Sequence, residues 1–357
     1  MLKAESVPIM MALPPNLSER RARFLLAVCF TGVLGLVGQA AYAQVERSMY
    51  HRQQLLECAK YVNLGYPDSD KPTPARKSEL GDCDAERLYY GLGQPADPVA
   101  ARHCALTLSD DLEQEAGVLM MVYANGEGVP RNYALAKKAA CAAKGAPLEL
   151  AGRLAHLTDM EAGKRGSNPR IDICDDITSG FMQGICADIQ SELARQVRVK
   201  KLEVLTTGWN KAERRALATF QRKADQFFVD VSRLEVDQSG SARGAQALQA
   251  EFALQESLLE SLLAFEQGHL PQYSTHEYAH LDKELNHRYR LLRHKAGPSG
   301  TIRPEDVREA QHLWLAYREA FVAFGAQKYP KVPAHAWRAF ATEERIRMLV
   351  ELAEGWD

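Results

Sequence analysis

The chain has 357 residues, of which 46% are hydrophobic and 25% are charged. These fractions are those of an ordinary globular protein, and the length suits two or three domains. Lys and Arg number 44 against 46 Asp and Glu, which gives a net charge of −2. Because nucleic-acid-binding proteins usually carry a basic excess, this balance excludes nucleic-acid binding as the main function.

The first 43 residues indicate an export signal rather than a folded element. Arg20, Arg21 and Arg23 precede an apolar run at residues 24–38, and residues 41–43 have the A-x-A form of a cleavage site. The run is shorter than the ~20 residues that cross a bilayer. We therefore expect cleavage after Ala43, no stable membrane insertion afterwards, and a periplasmic or secreted protein. The alternative is that the segment is retained as an anchor.

Six cysteines lie beyond this segment, and an even number in an exported chain favours disulfides. They are Cys58, Cys83, Cys104, Cys141, Cys174 and Cys186. If residues 83–91 and 97–108 form a helical hairpin, Cys83 and Cys104 lie about equally far from its turn and can pair. The alternative joins Cys58 to Cys83 and Cys104 to Cys141. No C-x-x-C occurs, which disfavours a thioredoxin-like site or a zinc ribbon.

The section from residue 44 to residue 165 predicts short helices joined by turns. An apolar segment at 119–124 is followed by N-G-E-G-V and then by a helix rich in alanine. Gly126 and Gly128 suit the left-handed turn conformation, and small alanines let two helices approach closely. This stretch resembles a Sel1-like repeat, a solenoid relative of the tetratricopeptide repeat, and a weaker copy spans residues 88–105. The resemblance implies a short run of helical hairpins, fewer than a free-standing solenoid needs.

The second half predicts long helices after a polar linker at residues 163–170. The clearest apolar stripe has spacings of three and four residues and consists of Val307, Ala310, Trp314, Tyr317, Phe321 and Phe324. Trp314 and Tyr317 are therefore expected in a core between helices. Residues 213–228 align weakly on residues 307–322, which suggests two related halves, 172–268 and 275–357. The sequence as a whole predicts an all-α fold.

Several sequence motifs lie between residues 172 and 355. Cys174 and Cys186 form a C-x(11)-C-A pair, A-Q-x-x-W-x-x-Y-R-[DE]-A is complete at 310–320, and T-x-x-R precedes a Leu-rich tail. A D-x-x-L-N-x-x-Y helix matches at residues 282–289. The motif positions of the three helices are Asp282, Leu285, Asn286, Tyr289, Gln311, Trp314, Tyr317, Arg318, Thr342 and Arg345. With these motifs the segment resembles the lysozyme inhibitor LprI-like family.

The resemblance implies that residues 172–357 form an elongated helical bundle with a Cys174–Cys186 disulfide. If Cys83 pairs with Cys104, Cys58 and Cys141 remain as the third pair. Two cysteines that are common in the family are absent, since Val322 and Trp337 lie near their places. The last hairpin is therefore expected to lack a disulfide, which puts its rigidity in doubt.

The family's function implies a non-enzymatic protein that binds a protein partner, lysozyme, at the bacterial cell envelope. An inhibitor of a cationic lysozyme needs an acidic or cleft-filling surface, and the net charge of this chain permits one. The alternative is a periplasmic scaffold or adaptor that uses the Sel1-like hairpins for another partner. The sequence does not define the oligomeric state.

One motif suggests an enzyme instead. His276, Glu277 and His280 match H-E-x-x-H, in which two histidines on one helix face bind zinc and the glutamate acts as a general base. The extended motif needs Gly and His where this chain has Lys283 and Asn286. A zinc hydrolase therefore stays an alternative, and polar helix-start residues are the favoured interpretation. No nucleophile elbow or phosphate-binding glycine loop occurs, so we predict no catalytic residues, cofactor or metal.

Overall fold

The computed structural model describes residues 52–107, 112–143, 145–294 and 301–354. The expected export signal and its cut after Ala43 lie outside these ranges. Within them the chain forms α-helices, one 3-10 turn and no β-strand, which confirms the all-α prediction. None of the helices in these ranges is both long enough and apolar enough to cross a membrane.

The chain divides into two compact units, Met1–Lys60 and Tyr61–Asp357. The described part of the first unit contains helix α1 at residues 52–59. The second unit begins with a 3-10 turn, Asp68–Asp70, and continues with α2 (Pro74–Leu80), α3 (Ala85–Tyr90), α4 (Pro98–Thr107), α5 (Leu112–Asn125), α6 (Tyr133–Ala142) and α7 (Pro147–Glu161). Longer helices follow: α8 (Gly180–Leu205), α9 (Lys211–Leu234), α10 (Arg243–Glu266), α11 (Thr275–His294), α12 (Pro304–Lys328) and α13 (Ala334–Glu354). The domain boundaries expected near residues 165 and 172 remain a prediction.

Helices α3 to α7 pack as successive neighbours, as hairpins in a row require. At the turn after α5, Gly126 and Gly128 have φ angles of 71° and 68°, which glycine adopts at little cost. A side chain at position 128 would also collide with Val99 of α4. Ala136 and Ala139 are fully buried, so that α6 lies close against α5. The relation of these hairpins to Sel1-like repeats stays a prediction.

The six longer helices repeat one packing pattern. In each group of three, the first and third helices pack together, α8 with α10 and α11 with α13, while the middle helices α9 and α12 pack on each other. The interface of α9 and α12 is aromatic: the ring of Phe220 lies 5.0 Å from that of Phe321 and 5.6 Å from that of Phe324. Trp314 and Tyr317 are buried in the same core. Two related halves would produce this pattern, and the duplication itself remains a prediction.

The last hairpin, α12 and α13, is held by aromatic packing. Trp337 is fully buried, and its ring meets those of Phe265 at 5.2 Å and Phe321 at 5.4 Å, both edge-on. Gly325 of α12 leaves room for this ring, since a Cβ there would overlap it. A large aromatic side chain of α13 thus packs against α12 in this hairpin.

Two disulfides lie within the second unit. Cys83 pairs with Cys104 across the α3–α4 hairpin, with a Cα–Cα distance of 5.9 Å, and Cys174 pairs with Cys186 at 5.7 Å. The alternative pairing of Cys58 with Cys83 is therefore wrong. Cys58 and Cys141 are disulfide-bonded as well.

Candidate functional site

Most of the motif residues shared with LprI-like proteins lie inside the bundle. Leu285, Gln311, Trp314, Tyr317, Thr342 and Arg345 are buried, Asp282, Tyr289 and Arg318 are partly buried, and Asn286 is exposed. Because a buried side chain cannot meet a partner protein without unfolding, these positions determine how α11, α12 and α13 pack. The partner's contact surface has to be sought among other residues.

Arg345 is the centre of a buried polar network. Its Nη1 and Nη2 donate to the two carboxylate oxygens of Glu235 at 2.7 and 2.6 Å, and its Nε donates to Oε1 of Gln311 at 3.1 Å. The side chains of Arg345 and Glu235 are only 0% and 6% exposed. Glu235 follows α9 and belongs to none of the motifs, so sequence reasoning missed it. The only signal for it was that a buried arginine requires a counter-charge.

The less buried motif residues bond within their own helices or with near neighbours. Asn286 Nδ2 donates to the backbone oxygen of Asp282 at 2.7 Å and to its Oδ2 at 3.2 Å. The Arg318 guanidinium lies 4.9 Å from the centre of the Trp314 ring and pairs with Glu319. These contacts stabilise α11 and α12 locally.

The H-E-x-x-H residues form a helix start. Glu277 accepts hydrogen bonds from the backbone N–H of Ser274 at 2.7 Å and from its hydroxyl at 2.8 Å, while the Glu277 N–H donates to Ser274 Oγ at 3.2 Å. This is a capping box at the first turn of α11. The hydrogen bonds lower the pKa of Glu277 below its usual value. His276 and His280 are exposed, and the described ranges contain no group of three His, Cys, Asp or Glu side chains arranged to hold a metal.

An open cleft of about 320 Å³ lies between α3, α5 and α8. We call it the acidic cleft, because three carboxylates and several apolar side chains line it: Asp84, Glu86, Glu115, Gly117, Val118, Met121, Ala143, Ile173, Phe181, Met182 and Ile185. Gly117 of α5 allows the side chain of Ile173 to pack closely against this helix, since a Cβ at position 117 would overlap that side chain. The cleft therefore combines an apolar wall with negative charge.

The electrostatics of the acidic cleft centre on Glu86, which is partly buried in α3. Burial first, and then the negative charges of Asp84, Glu115, Asp188 and Asp172, raise the pKa of Glu86 from 4.5 to about 7. Both causes act by disfavouring the anion. The charges that act most on Glu86 are therefore carboxylates from α5, from α8 and from the segments before α3 and α8.

The Cys174–Cys186 disulfide holds one side of the acidic cleft in place. Ile173 and Ile185, each adjacent to a bonded cysteine, both line the cleft, so the disulfide ties the segment before α8 to α8 itself. Asp172 accepts a hydrogen bond from the Tyr90 hydroxyl at 2.9 Å, which ties the same segment to α3. The cleft is thus built by contacts between distant parts of the chain. Its carboxylates form no motif along the sequence, and sequence reasoning missed them.

A larger cavity of about 470 Å³ lies along α8 and α10. Its lining is uncharged and consists of Ile177, Gln183, Cys186, Ala187, Gln190, Ser191, Ala194, Gln249 and Phe252. A neutral lining does not discriminate between charged partners. The acidic cleft is therefore the better candidate for recognition of a partner by charge.

Comparison with known proteins supports the C-terminal motifs. The model of the family described as Lysozyme inhibitor LprI matches residues 264–349, from the end of α10 to α13. No curated protein and no solved structure matches the chain. The match concerns α11–α13. The acidic cleft lies outside the matched range, at residues 84–185.

Proposed function

We propose that this protein is an exported, non-enzymatic inhibitor that binds lysozyme at the bacterial cell envelope. The observation that carries the proposal is the family match at residues 264–349, which includes the complete A-Q-x-x-W-x-x-Y-R-E-A helix of α12. Function depends on particular sites as well as on a fold, so a direct assay has to follow the match.

Two further observations support the proposal. The disulfides Cys83–Cys104 and Cys174–Cys186 suit an oxidising compartment outside the cytoplasm. A cationic partner also requires an acidic surface on the inhibitor, and the acidic cleft provides one at α3, α5 and α8. Neither observation requires a reaction to be catalysed by this chain.

The test is lysis of a cell-wall substrate by a chicken-type lysozyme in the presence of increasing amounts of the oxidised protein. We expect dose-dependent inhibition, and we expect it to disappear after reduction and alkylation of the disulfides. A second protein of the same net charge and similar size serves as the control for nonspecific charge effects. Unchanged lysis at micromolar excess of correctly folded protein would contradict the proposal and leave the scaffold alternative to be pursued with the α3–α7 hairpins.

A further inference from the structure

We infer that the hairpins α3–α7 form a binding groove for an extended peptide with the pattern arginine–aliphatic–aspartate–aliphatic. Residues 170–173 of this chain, R-I-D-I, occupy that groove themselves, so a partner that carries such a peptide must displace them. The inference concerns residues outside the family match at 264–349, and it does not depend on lysozyme as the partner.

Residues 169–173, which we call the docked segment, lie on the hairpins as an extended peptide does. They form neither helix nor strand, and burial alternates along them. Ile171 and Ile173 are only 2% and 7% exposed, whereas Arg170 is exposed and Asp172 is partly exposed. An alternation with period two is that of an extended chain, in which successive side chains point to opposite sides.

Side chains of the hairpins hold the backbone of the docked segment. Asn125, at the end of α5, accepts a hydrogen bond from the Ile171 N–H at 2.9 Å, and its Nδ2 donates to the Ile171 carbonyl oxygen at 3.0 Å. Two residues earlier, Arg131 Nη2 donates to the carbonyl oxygen of Pro169 at 3.2 Å. A carboxamide that pairs with both backbone groups of one residue binds a peptide at that position whatever its side chain is.

The polar side chains of the docked segment meet partners that select them. Arg170 forms an ion pair with Glu127, in the turn after α5, and the Tyr89 hydroxyl donates to the other oxygen of the same carboxylate. Asp172 accepts a hydrogen bond from the Tyr90 hydroxyl at 2.9 Å. The groove thus offers an anion to an arginine and a donor to an aspartate two residues later, which gives the pattern of the expected peptide.

The docked segment can be exchanged for a partner's peptide. Within the described ranges no backbone–backbone hydrogen bond joins residues 169–171 to the hairpins, and residues 161–168 before them are exposed. The other end is fixed by the Cys174–Cys186 disulfide. A segment tethered in this way competes with a free peptide at an effective concentration on the order of millimolar, so it closes the groove to weak ligands.

The experiment measures binding of a fluorescent peptide with the sequence of residues 167–173, S-N-P-R-I-D-I, to the oxidised full chain. In the released variant, residues 169–172 are replaced by Ser-Gly-Ser-Gly, which keeps the length of the chain and Cys174. We expect this variant to bind the peptide about tenfold more tightly than the wild type, whose groove is occupied. A peptide with the arginine and the aspartate exchanged is the control of equal composition, and it should bind about tenfold more weakly than S-N-P-R-I-D-I.

A milder variant gives a second measurement. Arg170→Ala combined with Asp172→Ala removes the two polar contacts of the docked segment and keeps its buried isoleucines. This double variant should also bind S-N-P-R-I-D-I more tightly than the wild type, by a smaller factor than the released variant. Melting curves check that both variants are folded, and the milder variant decides the question if the released variant is not.

A charge swap tests whether Glu127 selects the arginine. Glu127→Lys in the released variant should weaken binding of S-N-P-R-I-D-I about tenfold, and a peptide with glutamate in place of the arginine should recover most of that loss. The matched control is Glu260→Lys at an exposed position of α10, which should change neither affinity by more than about twofold. A merely structural role of Glu127 would weaken both peptides alike.

Three results would overturn the inference. One is that the folded variants bind S-N-P-R-I-D-I no more tightly than the wild type, which would mean that the docked segment belongs to the fold and to no binding site. The second is equal binding of the exchanged peptide, and the third is a charge swap without recovery. Inhibition of lysozyme is measured in a separate assay, so failure of this inference leaves the proposed function standing, and the reverse is also true.

Discussion

Replacement of Arg345 by methionine tests whether the T-x-x-R motif acts through the fold. Methionine keeps much of the aliphatic volume, so the change mainly removes the charge. Glu235, whose side chain is 6% exposed, then remains buried without its partner, and Gln311 loses a donor. Removing one member of a buried ion pair costs about 3–5 kcal/mol, a large part of the ~5–15 kcal/mol that stabilises a typical domain.

The assay is chemical denaturation of the oxidised protein at pH 7, in a double-mutant cycle of Arg345→Met and Glu235→Leu. We expect the double variant to lose considerably less unfolding free energy than the sum of the losses of the two single variants. The reason is that an apolar pair can replace a buried ion pair at little cost. Arg347→Met is the matched control. Its side chain is 61% exposed and pairs with Glu344, so its loss should be below about 1 kcal/mol.

Two results would refute this reasoning. One is a loss for Arg345→Met no larger than that for Arg347→Met, which would mean that the buried pair contributes nothing. The other is a double variant whose loss equals the sum of the single losses, which would mean that the two residues do not act together.

Three further predictions concern Glu86, the last hairpin and the disulfide beside the acidic cleft. Burial and neighbouring carboxylates raise the folded-state pKa of Glu86 from 4.5 to about 7, so the fold loses stability as pH rises between these values. After allowance for its partial exposure, Glu86→Gln should stabilise the protein by about 1–2 kcal/mol at pH 8 and hardly at pH 4, measured by denaturation at both pH values. Gly325→Ala should lower the melting temperature, because overlap with the buried ring of Trp337 costs ~1–3 kcal/mol and outweighs the gain of about 1 kcal/mol in helix propensity. Replacement of Cys174 and Cys186 by serine should cost about 3 kcal/mol in denaturation, as expected for closure of a loop with a sequence separation of 12.

Each of these predictions has a control or a contrary result. A Glu86→Gln variant whose stability gain is the same at pH 4 and pH 8 would show that ionisation is not the cause. Gly184 lies within α8, and a Cβ there meets nothing within 4 Å, so Gly184→Ala should raise the melting temperature where Gly325→Ala lowers it. Unchanged stability of the serine variant would mean that the contacts of α8 alone keep the segment before it in place.

Sequence patterns predicted which helix faces are buried, but they did not decide which role a motif has in the structure. The stripe that contains Trp314 and Tyr317 predicted a buried helix face, and both side chains are buried. The H-E-x-x-H motif left a zinc site open, whereas Glu277 pairs with Ser274 as a helix cap. The spacing of Ser and Glu in S-x-x-E was itself visible in the sequence as a capping box. Two motifs overlapped at one place, and only the hydrogen bonds showed which one the structure uses.

The sequence by itself determined that the chain is helical, where its apolar stripes run and which residues are LprI-like. These properties depend on spacings of three and four residues, which the helix brings together locally. Only the tertiary structure decided that Arg345 meets Glu235, 110 residues away, and that Glu86 lies among carboxylates from α5, α8 and the segment before α8. The physical reason is that burial, counter-charge and pKa depend on which helices pack together, and no local spacing specifies that packing.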